Sequence, residues 1–185
     1  MFVNFVDLLL MVLLIAIIAI GFFQGTIRII IAIVTLYASI VLASLYFRFL
    51  AVFFTQRGTT PPIADSISFF TILAICFIIL FVASAYTFRY LHIPDRFDVL
   101  DRLLGTLLSF VLAAMVGVAI SMVLNYAFVR YDAARLSAFP FTPTLQRSVR
   151  SSTLMPLLLN YVLPRFYKSV APFLPEAAQP FFRPT

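Results

Sequence analysis

Asp95, Asp98 and Asp101 recur at every third position, with Arg96 and Arg102 among them. On a helix that spacing can gather three carboxylates on one face, and convergent oxygens are what a hard cation needs. A structural role explains the pattern more simply. Pro94 suits a first helical turn, carboxylates favour the positive end of that helix, and Asp101 then caps the apolar run that follows. His92 is the single histidine, too few for zinc and too near a span's end to ligate a haem or chlorin. Cys76, the single cysteine, has no histidine or cation beside it and reads as inert core. No Ser-His-Asp set, HExxH motif or phosphate-cradling glycine loop is present. Neither an enzyme, a metal nor a cofactor is expected.

Two further charges stand out because their surroundings are so apolar. Between Leu8 and Phe47 the one charged side chain is Arg28, and Asp7 lies just before that stretch. As a single straight helix the stretch would run about 60 Å, roughly twice the hydrocarbon thickness of a bilayer. A fold point is therefore expected at Gln24-Gly25-Thr26-Ile27-Arg28, where glycine is free to take a left-handed turn. Arg28 then snorkels to the interface or meets a lipid phosphate.

The elements that would carry these residues follow from hydropathy. Of the 185 residues 63% are hydrophobic and 11% charged, and the mean hydropathy is +1.09. Such a composition makes the bilayer the solvent of the chain. The expected fold is an all-α integral membrane protein with four transmembrane helices. These run from about Phe5 to Phe23, Thr26 to Phe47, Asp65 or Ser66 to Tyr90, and Asp101 to Phe128. Pro61 and Pro62 belong to the loop before the third helix, with Asp65 or Ser66 as its N-cap. No basic n-region precedes the first apolar run, so that helix is expected to stay in the protein.

Residues 1–129 thus form a transmembrane domain and residues 130–185 a separate tail. Prolines at 140, 143, 156, 164, 172, 175, 180 and 184 forbid another spanning helix there. Leu, Phe and Tyr clusters punctuated by Arg147, Arg150, Arg165 and Lys168 suit short amphipathic helices at the membrane interface. The net charge of +6 is scattered over loops and tail, which favours anionic lipid headgroups over nucleic acid.

Helix packing has its own signature. Gly105, Ser109, Ala113, Gly117 and Ser121 form an unbroken small-residue ladder at a spacing of four, and Gly21 and Gly25 form a second small pair. In lipid, such residues let backbones approach closely and gain dispersion. The ladder's partner could be internal or belong to another chain.

The Gly21-Phe22-Phe23-Gln24-Gly25-Thr26-Ile27-Arg28 turn, the Asp101-Arg102-Leu103-Leu104-Gly105 entry and Ser151-Ser152-Thr153-Leu154-Met155-Pro156 together resemble the CvpA (colicin V production protein) family of bacterial inner-membrane proteins. The likeness covers nearly the whole chain. It implies a non-enzymatic multi-pass protein that supports bacteriocin or toxin production or secretion and envelope maintenance. It also marks Asp7, Arg28, Asp101 and Arg102 as functional charges. An accessory structural subunit of a larger membrane complex is the alternative, and a small channel or transporter a third reading. The lipid bilayer is the expected partner, with a homo-oligomer or other membrane proteins beside it. The arginines divide between the two ends of the spans with a slight lean towards cytoplasmic termini, whereas related modules place theirs outside. Orientation stays open.

Overall fold

The computed structural model describes residues 4–59, 61–87, 98–128, 147–170 and 172. All regular structure among them is helical. Helix α1 runs Phe5–Gln56, α2 Pro61–Thr87 and α3 Asp98–Phe128. Each contains a run long and apolar enough to cross a bilayer. A shorter C-terminal segment comprises α4 (Leu154–Leu157), a π-helical stretch (Leu158–Val162) and α5 (Leu163–Val170).

The long helix α1 is broken at one residue. Gly25 has φ 75° and ψ 176°, a conformation essentially closed to residues with a Cβ. It lies within the turn expected from the lone polar interruption. On the near side of Gly25, contacts step along α3 in one sense: Gly21 meets Gly105 and Ser109, then Leu14 meets Gly117. On the far side they step back. Thr26 bonds Asp101, Ile33 and Tyr37 share a cavity wall with Val111 and Met115, and Phe47 joins Met122 and Tyr126 in one core. The two limbs of α1 therefore run in opposite directions on either side of α3.

Burial follows from that arrangement. The second limb presents Ile29, Ala32, Leu36, Ile40, Ala43 and Phe47, a three-four repeat that makes one apolar stripe. Phe69 of α2 and Val118 and Met122 of α3 close the core, with Leu163 from the C-terminal segment. Small hydroxyls also lie inside: Thr35, Ser39 and Ser44 donate to the carbonyls of Ile31, Thr35 and Ile40, at 2.8, 2.6 and 2.7 Å. Backbone four residues earlier satisfies them, so no water is needed. Outward residues such as Ile15, Phe23, Phe49, Ile78 and Leu107 are exposed and apolar, as a lipid-facing surface demands.

Several boundaries differ from the sequence-based expectation. The second limb continues beyond Phe47 and Arg48 to Gln56. Pro61 and Pro62 open α2 rather than precede it, because a first-turn residue has no intrahelical N–H bond to lose. Asp65 is consequently inside α2, where Tyr126 Oη donates to its Oδ2 at 3.4 Å. Helix α3 starts at Asp98, not Asp101. Asp95, Arg96, His92 and the tail before residue 147 lie outside the described residues, so the triple-aspartate pattern cannot be assembled from them.

In the C-terminal segment Pro164 lacks the N–H that would bond Asn160, and the preceding turn widens: Leu163 N–H bonds the Leu158 carbonyl, five residues back. Proline here reshapes a helix instead of ending it.

Candidate functional site

Two acid-capped junctions join segments far apart in sequence, and between them they hold most of the residues singled out above. The first is at the break in α1. Beyond Gly25 a new helical limb starts, and its leading N–H groups have no intrahelical acceptor. Thr26 N–H donates to Asp101 Oδ1 at 2.8 Å, and Thr26 Oγ1 donates to the Asp101 carbonyl at 2.9 Å. Asp101 therefore caps the second limb of α1, not the helix it belongs to. The reason is geometric: three residues inside α3, its carboxylate is free to reach sideways to the limb start that has no acid of its own. The negative charge also complements the positive end of that limb.

Such a contact requires the backbones to touch. A Cβ on Gly105 would stand 2.8 Å from the Gly21 carbonyl oxygen and 2.9 Å from the Gly25 carbonyl carbon. A Cβ on Gly21 would collide with Ser109 Cβ and lie 2.6 Å from Ser109 Oγ. One on Gly25 would run into the Asp101 carboxylate. The Gly21–Gly25 pair and the Gly105–Ser109 end of the ladder are thus two halves of one interface. Further along, Ala113 is buried, and Gly117 leaves a hollow holding Leu14 and Leu158. Ser121 is fully buried, its hydroxyl without a hydrogen-bond partner among the described residues. The ladder's partner, left open by the sequence, is internal from Gly105 to Gly117.

Arg28 and Arg102 flank this junction and are exposed. The Arg102 guanidinium lies 6.0 Å from the centre of the Phe22 ring, at the outer range of a cation–π contact.

The second junction is at the opposite end of the first limb. Asp7 is buried, and its carboxylate accepts the Ser152 hydroxyl, Thr153 N–H at 3.0 Å and Leu154 N–H at 3.2 Å. Ser152 Oγ in turn accepts Met155 N–H at 3.1 Å. Pro156 has no N–H to satisfy. Every donor in the first turn of the C-terminal segment is accounted for, which buried backbone demands. Asn4 Nδ2 adds bonds to the Ser151 carbonyl and to Ser151 Oγ.

Thr26, Ser152 and Thr153 were not singled out as site residues. A signal was nevertheless present: Gly25-Thr26 and Ser152-Thr153-x-x-Pro156 are both helix starts without a local acid. Each had to import one.

The geometry has the character of a brace. The Asp7 carboxylate is engaged by hydroxyl and N–H donors and the Asp101 carboxylate by the Thr26 N–H, and no group of three or more His, Cys, Asp or Glu that could hold a metal occurs among the described residues. The acids and glycines concerned fall within the span of a known family. The sequence profile described as Colicin V production protein matches residues 6–164. The chain belongs to the colicin V production protein family. No curated protein and no solved structure matches it. The family match takes in Asp7, the Gly25 turn, the Asp101 entry and the Ser151-to-Pro156 segment. Both capping acids therefore lie within the matched span.

Proposed function

We propose that this protein is a non-enzymatic, multi-pass scaffold of the bacterial inner membrane that supports bacteriocin or toxin production or secretion and envelope maintenance. The observation that carries the reading is the pair of trans-capped junctions. The acids best placed for chemistry are spent on holding helices together, and a scaffold needs that rigidity. The opposed limbs of α1 support four crossings in residues 1–129, with residues 130–185 as an attached tail. The outward apolar faces support the bilayer as partner, with homo-oligomers or other membrane proteins docking there.

The test is complementation. In a bacteriocin-producing strain deleted for its own family member, this chain should restore extracellular bacteriocin and survival under envelope stress. Correct membrane insertion with no restoration of either phenotype would refute the role.

An accessory subunit of a larger complex is the second reading, favoured by the extent of exposed apolar surface on α2. Its docking surface would be α2 and the outer face of the first limb, since the ladder is occupied from within. A stable hetero-complex after gentle detergent extraction would favour it.

A further inference from the structure

Beside the core, the second limb of α1, α3 and α5 enclose an open groove of about 440 Å³. Ile33, Val34, Val111, Ala114 and Phe166 make its walls, and Arg165 is the single charged residue lining it. Two helices fix the depth of this groove independently. Val111 and Ala114 sit near the centre of the apolar run Val99–Tyr126. Ile33 and Val34 lie about 12–14 Å along the second limb from the Gly25 bend, at the rise of an α-helix. Half the hydrocarbon thickness of a bilayer is about 15 Å. Arg165 therefore leaves the backbone near mid-span, too deep for its side chain to reach either bilayer face.

The C-terminal segment turns its polar side outward at this depth. Tyr161, Arg165 and Lys168, spaced by four and three, are exposed on one face. Leu163 is buried in the core, and Tyr37 Oη donates to the Ser169 carbonyl at 2.8 Å, so α5 cannot roll to hide its cations. Arg165 Nη1 donates to the Tyr161 carbonyl at 2.7 Å. That bond uses one of five guanidinium N–H donors and neutralises no charge. No carboxylate lines the groove. A cation in hydrocarbon is costly, and within membranes such groups pair with an opposite charge or face water.

The spans of this chain offer no such opposite charge. Its seven acids are Asp7, Asp65, Asp95, Asp98, Asp101, Asp132 and Glu176. The apolar runs 8–47, 66–88 and 103–129 contain none of them, so no span of this chain or of a second copy carries a mid-span carboxylate. The complement is a foreign helix that brings an acid and apolar side chains to the same depth.

We propose that the outward face of α5 docks a membrane-spanning helix of a partner protein that carries an aspartate or glutamate near mid-span. Its carboxylate pairs with Arg165, with Lys168 one turn on as a second cation, and its neighbouring apolar side chains seat in the groove. Guanidinium and carboxylate form charge-assisted, bidentate hydrogen bonds. Each partner removes the other's charge from the layer where either alone is most costly. This docking face deepens the scaffold reading and rests on its membrane placement, whereas complementation is blind to which helix docks.

Fluorescence energy transfer in phosphatidylcholine liposomes tests this with the full chain, donor-labelled at its N-terminus. The acceptors are leucine-rich transmembrane peptides of about 20 residues whose central residue is glutamate, glutamine or lysine. The glutamate peptide should associate about tenfold more tightly than the glutamine peptide, and the lysine peptide should not associate. Arg165→Gln with Lys168→Gln should abolish that preference, and Arg165→Lys should keep most of it. Arg165→Glu with Lys168→Glu should transfer it to the lysine peptide, which a misfolded chain could not do. Ala114→Phe, which fills the groove, should weaken association of the glutamate peptide with both cations in place. Equal association of the glutamate and glutamine peptides, or an undiminished preference in the double Gln variant, overturns the proposal. So does a Glu176→Gln chain that binds the glutamate peptide several-fold more tightly, because the chain's own tail would then be the occupant. None of these readouts depends on bacteriocin export, so loss of the docking face would leave the scaffold role standing, and failed complementation would leave the docking face standing.

Discussion

Substituting Gly21 by alanine should destabilise the protein in a way that one specific second substitution relieves. The added Cβ meets Ser109 Cβ and stands 2.6 Å from Ser109 Oγ and 3.0 Å from the Gly105 carbonyl oxygen. The tightest of these contacts are to a side chain. Overpacking of this kind costs about 1–3 kcal/mol. Helix propensity offers little offset, because a chain unfolded within a bilayer keeps its helices. In a Ser109→Gly background both side-chain obstacles vanish and only the carbonyl contact remains, so most of the penalty should disappear. The double-mutant cycle should give a coupling of about 1–2 kcal/mol. Gly105→Ala is the counter-case. Its new Cβ faces main-chain atoms, the Gly21 oxygen and the Gly25 carbonyl carbon and Cα, at 2.8–3.1 Å. No side-chain deletion can relieve that, and the cost should reach about 3 kcal/mol. Reversible unfolding in mixed detergent micelles reads all four variants. Strict additivity of Gly21→Ala and Ser109→Gly would refute the assignment of Gly21 to the Ser109 contact. A neutral Gly105→Ala would refute the backbone approach altogether.

Other expectations concern the caps and the break. Asp101→Ala leaves Thr26 N–H without its acceptor and should cost about 1–2 kcal/mol, whereas Asp101→Asn keeps an amide oxygen there and should cost less than half of that, read by the same unfolding assay. Asp7→Ala removes the acceptor of three bonds and should loosen residues 147–170 by about 3 kcal/mol. Limited proteolysis of that segment should then quicken on the order of 100-fold, with the rest of the chain protected. Gly25→Ala must adopt a conformation reserved for glycine and displace the Asp101 carboxylate, so thermal stability in detergent should fall by more than for either cap variant.

How much of this was legible beforehand depends on whether the partner of a residue is near in sequence. The break at Gly25 could be read because the surrounding residues are so uniformly apolar that one polar turn stands out. The small-residue ladder could be read from its period. Asp101 could be placed at the mouth of α3, but its partner could not, since an acid near a helix start fits its own cap as well as a cap 75 residues away. Asp7 and Ser152 are 145 residues apart, and no local pattern links them. Pro61 and Pro62 misled because proline excludes a helix interior yet suits a first turn. The extension of α1 to Gln56 was hidden because Arg48 interrupts the hydrophobic run, which resumes from Phe49 to Phe54, without ending the helix.

The capping of the second limb by Asp101 bears on how the protein is made. Ribosomal synthesis delivers Thr26 long before Asp101, and Asp7 long before Ser152. The first bend to emerge thus waits, its amides unanswered, for the third helix, and the N-terminal stretch waits for nearly the last residues described. Membrane insertion can proceed piece by piece, but locking cannot. A chain arrested before α3 would leave the amides of that bend uncapped at the membrane edge and present itself to the cell's quality-control proteases as unfinished.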